Sequence, residues 1–245
     1  MERGEKLYEG KAKILYATDD PALVIQYFKD DATAFNAQKR GTIMDKGVCN
    51  NKISSALFQV MEQAGVPTHF VKQLSDREML VKRLEIIPLE VTMRNITAGG
   101  MSRMLGIEEG IVLKQPVFEW HYKSDPLGDP LMNDDHILAL QLATTQELET
   151  VRRLSSKVND TLKAYFATRG IDLVDFKLEF GRFPARPEDR GAGGRDQILL
   201  GDEISPDTCR FWEQGTKKKL DKDRFRRDLG DVEAAYQEML RRVLS

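Results

Sequence analysis

The sequence predicts an α+β chain, and three observations carry that reading. Short apolar or alternating runs, cut by Gly, Pro and Asp, fill the first 85 or so residues and read as strands. Stripes of apolar residues at helical spacing mark Lys46 to Ala64, Thr144 to Gly170 and Lys222 to Val243. Between the last two lies a predicted β-hairpin, Asp172 to Asp207, with charged residues along one face.

The chain is 245 residues long, enough for one large domain or two lobes with their own cores. Charged residues make up 31% and apolar ones 41%, as in an ordinary water-soluble domain. The net charge, 37 − 39 = −2, supplies no global field toward nucleic acid or an anionic membrane, so polyanion binding would need local lysine and arginine clusters. Cys49 and Cys209 show no metal-ligand spacing and fit a reducing compartment. No apolar run approaches membrane-span length, and the first residues lack a secretory apolar region. A cytoplasmic enzyme or binding protein is expected, without nucleic-acid or membrane partners.

In order, Lys6 to Gly10 and Lys13 to Ala17 read as strands around a short turn, and Ala22 to Phe28 as a third after Asp19-Asp20-Pro21. Lys11 and Lys13 sit at that turn, two apart, where alternation aims both to one side, over phosphates or simply into water. The first helix carries Ile53, Leu57, Val60, Met61 and Ala64 on its stripe and stops at Gly65. Thr68 to Lys72 and Glu78 to Leu84 form another β-like pair, and Ile86 to Arg94 a further extended run. That run ends at Asn95 to Gly100, where tight glycines let backbone approach a ligand beside Arg94. Trp120 to His136 is turn-heavy and acidic. Thr144 and Glu147 then form a capping box for a helix with Leu148, Val151, Leu154, Val158, Leu162 and Tyr165 inward. In the last helix Val232, Tyr236, Met239 and Val243 face the core. His69, His121 and His136 are scattered, and no zinc motif or nucleophilic triad is evident.

The hairpin holds the candidate chemistry. Val174, Phe176, Leu178 and Phe180 alternate with Asp175, Lys177 and Glu179. Ile198 to Ile204 forms the second run, and pairing would bring Asp202 or Glu203 onto the charged face. Two carboxylates with a lysine between them suit a hard cation and a phosphate, since magnesium favours a few carboxylates plus substrate oxygens. The ordinary alternative is the solvated face of an amphipathic strand.

The string Val174 to Gly181 resembles the second signature of the SAICAR synthetase family of purine biosynthesis, and Ile87 to Gly99 resembles its first. Leu7 to Lys13, Leu80 to Leu84, Gly201 to Asp207 and Asp221 to Arg226 resemble further family strings, in family order across nearly the whole chain. The resemblance implies a two-lobed fold with a kinase-like or ATP-grasp-like ATP cleft: a β-rich lobe over 1–84 and an α+β lobe with the metal and ribotide sites over 85–245. It also implies the reaction, in which ATP, CAIR (a carboxylated aminoimidazole ribotide) and L-aspartate give ADP, phosphate and SAICAR.

By the same resemblance Glu179 and Asp202 hold Mg²⁺, Lys11 and Lys13 cover the ATP phosphates, and Lys82 and Leu84 offer backbone atoms to adenine. Arg94 and Arg210 fit the ribotide phosphate and Asp207 the ribose. Asp175 and Lys177 lie beside the reacting carboxylate, Asp129 and Arg226 at its edge. A homodimer is implied as well. Two departures stand out. Gly100 replaces a serine expected to bind the ribotide phosphate, so the Gly100 N–H or Ser102 would substitute. The hairpin link, Arg182 to Gln197, is longer than a tight turn and is expected to be a mobile excursion, with Pro184 to Arg195 dispensable for catalysis. A small-molecule kinase would share the nucleotide features without needing aspartate. A non-catalytic nucleotide-binding module would lack the paired carboxylates.

Overall fold

The computed structural model describes residues 2–34, 38–184 and 196–245. The first sheet assembles from β1 (Lys6–Glu9), β2 (Lys13–Ala17), β3 (Leu23–Phe28), β6 (Phe70–Gln73) and β7 (Glu78–Lys82), in the antiparallel order β1-β2-β3-β7-β6. Between β3 and β6 lie a two-stranded ribbon, β4 (Asp31–Ala34) and β5 (Lys39–Thr42), and helix α1 (Lys46–Gln63). The sequence reading missed the ribbon, whose short Ala- and Lys-bearing strands carry little alternation.

The second sheet runs β10-β9-β8-β11-β12. Its members are β8 (Glu85–Ile96), β9 (Val112–Tyr122), β10 (Leu131–Met132), β11 (Ile171–Phe183) and β12 (Gln197–Leu200). At 13 residues β11 is long enough to take two partners on one edge. Its first half pairs with β13 (Cys209–Glu213), with Asp175 opposite Arg210, and its end pairs with β12, with Phe180 opposite Leu200. The predicted hairpin therefore exists, but its second strand ends at Leu200. Asp202 and Glu203 lie beyond it, in a turn where Asp202 takes φ 57°. The two sheets meet where the backbone of Pro67 and His69 bonds Leu200, at 3.0 and 2.9 Å.

Helix α4 (Thr145–Ala167) covers the apolar face of the second sheet. Leu148, Val151, Leu154, Val158 and Leu162 are buried as expected, each contributing roughly 1.5–3 kcal/mol of burial. Phe166 takes the last buried position, and Tyr165 is only half-buried, turned to bond the Val243 carbonyl at 2.6 Å. The capping box is present: the Glu147 N–H donates to Thr144 Oγ1 at 3.3 Å, and the Thr144 N–H to Glu147 Oε2 at 2.7 Å.

Three further expectations are corrected. Asn95 to Gly100 is not a simple turn, because β8 continues to Ile96 and Gly99 opens helix α2 (Gly99–Leu105). The Trp120 to His136 stretch holds the end of β9, a 3-10 turn at Asp125–Leu127, β10 and helix α3 (Asp134–Ala139). The last helix is broken into α5 (Asp223–Arg226) and α6 (Val232–Leu244), because Asp228, Gly230 and Asp231 all adopt positive φ. Most of the Arg182 to Gln197 link lies outside the described residues.

Candidate active site

In the second sheet, alternation sorts side chains onto two faces. Leu89, Val91 and Met93 of β8, Trp120 of β9 and Phe176, Leu178 and Phe180 of β11 are buried on the side of α4. The opposite face is polar on all three strands. Glu90 stands between His121 and Glu179, Thr92 between Glu119 and Lys177, and Arg94 beside Asp175. The charged side of the hairpin is one column of this polar floor.

One end of the floor gathers carboxylates and ammonium groups. Lys13 Nζ contacts Asp202 Oδ1 and lies 2.9 Å from Glu203 Oε1. Lys123, at the end of β9, contacts Glu179. Burial, and then the adjacent Asp202 charge, pushes the Glu179 carboxyl up to about 7. Burial would raise Asp202 too, but Lys13 outweighs it and holds that group below the usual carboxylate range. Lys13 is raised in turn, its burial overcome by Asp202 and Glu203. Among the described residues no three His, Cys, Asp or Glu side chains enclose a metal position. A divalent cation here would share Glu179 and Asp202 with ligand oxygens, the pattern magnesium favours. The raised Glu179 fits that use, since a cation would relieve the repulsion between the two carboxylates.

The other end gathers guanidinium groups. Arg94 Nη1 donates to Asp175 Oδ2 at 2.8 Å, and Arg210 Nη1 reaches both Asp175 oxygens at 2.9 and 2.8 Å. Glu119 accepts from Arg94 Nε at 2.9 Å, while Asp223 accepts from Arg210 at 2.9 Å and from Arg226 at 2.7 Å. Burial opposes ionisation of Asp223, yet Arg210 and Arg226 hold it down to about 2. Gly99 closes this end. It has φ 56°, and a Cβ there would lie 2.4 Å from Arg210 Nη2, so the guanidinium packs against bare backbone. At Gly100 a Cβ would meet only Arg94 Nη2, at 3.7 Å.

Several predicted residues fall elsewhere or take other partners. Lys11 leaves the strand and pairs with Asp125 at 2.7 Å instead of joining Lys13. The Lys82 N–H is taken by the His69 carbonyl at 2.7 Å, so a donor to adenine would have to come from Leu84. Lys177 contacts Glu90 and lies 3.8 Å from Asp129. Ser102 is buried on α2, and its hydroxyl has no partner among the described residues. Asp175, expected beside the reacting carboxylate, has both oxygens occupied by arginines and a side chain only 4% exposed. Its carboxylate bridges the Arg94 and Arg210 guanidiniums. Asp207, expected at the ribose, is also 4% exposed and accepts from Lys46 at 2.8 Å and Tyr236 at 2.6 Å.

The family model for SAICAR synthetase matches residues 6–243. This chain belongs to the SAICAR synthetase family. It is similar to the phosphoribosylaminoimidazole-succinocarboxamide synthase of Clostridium kluyveri, 54% identical over 243 residues and 99% of each chain. The corresponding synthase of Ehrlichia chaffeensis, solved as a crystal structure, superposes with a TM-score of 0.93 at 48% identity over 98% of each chain. A SAICAR synthetase (Type-2) solved in complex with ADP gives 0.89 at 42% identity over 96% of each chain.

The sequence reading of this SAICAR synthetase chain passed over Glu90, Thr92, Glu119, His121 and Lys123, which complete the polar floor. A signal was available. Glu119, His121 and Lys123 alternate with Trp120 and Tyr122, the same two-residue period that marked β11. His121 joins two parts of the site, with Nδ1 2.9 Å from the Asp129 carbonyl and Nε2 3.3 Å from Glu119.

Proposed function

We infer that the protein is an ATP-dependent ligase joining the carboxylate of CAIR to the amine of L-aspartate, giving SAICAR, ADP and phosphate in purine nucleotide synthesis. One observation carries the reading: in a SAICAR synthetase family member, the polar face of one sheet has a guanidinium cluster at one end and, at the other, a carboxylate-ammonium cluster completed by Lys13 of the first sheet and the turn at Asp202. The first suits a triphosphate and the second a ribotide phosphate. The ADP complex of a relative 42% identical supports the nucleotide assignment.

The two lobes are proposed to be residues 1–84 and 85–245, with the nucleotide between their sheets. The Lys13 and Lys123 ammonium groups stabilise charge on the transferred phosphoryl group. Arg94 and Arg210, held by Asp175, orient the ribotide, with Arg226 and the Gly100 N–H at its edge. Lys177 neutralises the reacting carboxylate. Glu179 and Asp202 would hold Mg²⁺, which supplies charge neutralisation between phosphate oxygens. A carboxylate oxygen of CAIR attacks the γ-phosphorus, the bond to the bridging oxygen breaks, and ADP leaves. The aspartate amine then attacks the acyl carbon and loses a proton, and phosphate departs with one former carboxylate oxygen.

The working unit is proposed to be a cytoplasmic homodimer. Two buried free cysteines support a reducing compartment, and exposed Met104, Leu105, Ile111 and Val112 support a subunit contact. Sedimentation at micromolar concentration as a single species near 27.9 kDa would exclude the dimer. For the reaction, the test is ¹⁸O in the carboxylate of CAIR. One label should reach the released phosphate, and product should form only with aspartate. Label-free phosphate would refute the acyl phosphate. A stable phosphorylated product formed without aspartate would favour a small-molecule kinase.

A further inference from the structure

Consecutive residues of an extended strand point to opposite faces, yet Asp202 and Glu203 both reach Lys13. The left-handed conformation of Asp202, φ 57°, turns the chain so that the two carboxylates converge. Aspartate tolerates that region better than most side chains, at a cost of about 1 kcal/mol. The turn is pinned on both sides: the Gly201 N–H donates to the Glu179 carbonyl at 2.9 Å, and Gln26 Nε2 to the Asp202 carbonyl at 3.2 Å.

The two carboxylates are not equivalent. Asp202 lies beside Glu179, is 23% exposed, and stands where a cation would compete for it. The Glu203 side chain is 3% exposed, and its second oxygen accepts from Ser205 Oγ at 2.6 Å, leaving Oε1 directed at Lys13. We propose that Glu203 is the positioning residue for Lys13, keeping its ammonium over the nucleotide phosphates when Asp202 turns to a metal ion. With Glu203 in place, Lys13 exchanges one of two partners when metal and nucleotide bind. Without it, Lys13 would lose its last carboxylate at the moment its position matters.

The proposal rests on the ATP-ligase reading, and the experiment separates the two. ADP binding is measured by calorimetry for the wild type and Glu203→Gln, with Mg²⁺ and with a chelator. Kinetic constants for ATP and the ribotide are measured alongside. Glutamine keeps the shape and can still accept from Ser205, but it loses the charge facing Lys13. The expected result is about a tenfold weaker ADP affinity and higher KM for ATP with Mg²⁺, a change of less than about threefold with chelator, and an unchanged ribotide KM. Ser205→Ala, which frees Glu203 and also removes the acceptor of the Asp207 N–H, should shift the same constants about threefold with the ribotide KM unchanged, and carries the test if Glu203→Gln does not fold. Wild-type-like nucleotide constants in the folded variant, equal losses with and without metal, or a parallel rise in ribotide KM would overturn the proposal. Failure of the wild type to bind ADP would instead refute the ligase reading.

Discussion

Asp207 tests whether the acid after the hairpin serves the ribose or the interior. Its carboxylate accepts from Lys46 at 2.8 Å and Tyr236 at 2.6 Å, with Lys222 at 3.4 Å. Lys46 is 1% exposed, so Asp207→Asn would strand a buried ammonium. Breaking a buried pair from one side costs about 3–5 kcal/mol. At about 2–4 °C per kcal/mol for a chain this long, the melting temperature should fall by roughly 6–20 °C. Removing both charges, in Asp207→Asn with Lys46→Met, should cost less than Asp207→Asn alone. The pH dependence has a definite sign. Burial would raise the Asp207 carboxyl, but Lys222, Lys46 and the Tyr236 hydroxyl hold it well below the usual range. Its contribution is therefore complete above an unfolded-state pKa of about 3.9 and is lost as the pH falls through the lower folded value. Asp207→Asn should accordingly flatten the acid side of the stability profile. Thermal melts at pH 7 measure the first effect, and urea unfolding from pH 7 down to pH 2 follows the onset of the second. A loss under about 1 kcal/mol at pH 7 with a raised ribotide KM would refute the buried-pair argument and return Asp207 to the ribose.

Glu179→Gln should abolish turnover while leaving the fold intact, and Mg²⁺ should raise the melting temperature of the wild type but not of this variant. Wild-type-like turnover at ordinary Mg²⁺ would remove Glu179 from the mechanism. At the guanidinium end, Gly100→Ser meets only an ordinary contact and should change stability by less than about 0.5 kcal/mol, with the ribotide KM equal or lower. Gly99→Ala combines a positive φ with a 2.4 Å clash on Arg210, so a ribotide KM at least about tenfold higher is expected. Steady-state kinetics and thermal melts on the pair decide it, and equal behaviour of the two variants would refute the close packing of Arg210 on Gly99.

Much of the fold could be read from periodicity wherever one face of an element meets water and the other meets the core. The α4 stripe is of this kind, and the capping box marks where it starts. Legibility failed where the pattern is not local. Helix α1 is buried on most sides, with Lys46, Asn50, Asn51, Ser54 and Ser55 inside, so its stripe understates what it touches. β13 is five residues long and is defined by its pairing with β11, which nothing near Cys209 announces. The expected continuous last helix follows from correct spacing on either side of Asp228 to Asp231, where backbone conformation overrides periodicity. For the site, the sequence marked the column on β11 and the carboxylate on Asp202. It did not reveal that Asp175 would face inward to two arginines, because alternation gives a residue's side and not its partners.

Each charged group on the polar floor already has a partner: Lys13 with Asp202 and Glu203, Lys123 with Glu179, Lys177 with Glu90, Arg94 and Arg210 with Asp175. Such pairing explains how a chain of net charge −2 can present a cleft for several anions without carrying a large unbalanced field. The cations are kept inside at the expense of carboxylates that a substrate phosphate can replace. Exchange of one anion for another loses less than exposing a bare ammonium would, because the desolvation of the cation is already met. The two ends differ in how far exchange can go. Asp175 is locked between two guanidiniums, each with a further carboxylate of its own, so that end is rigid and suits positioning. The Lys123–Glu179 pair is looser, with Lys123 42% exposed, so that end suits a triphosphate that must enter, react and leave as ADP.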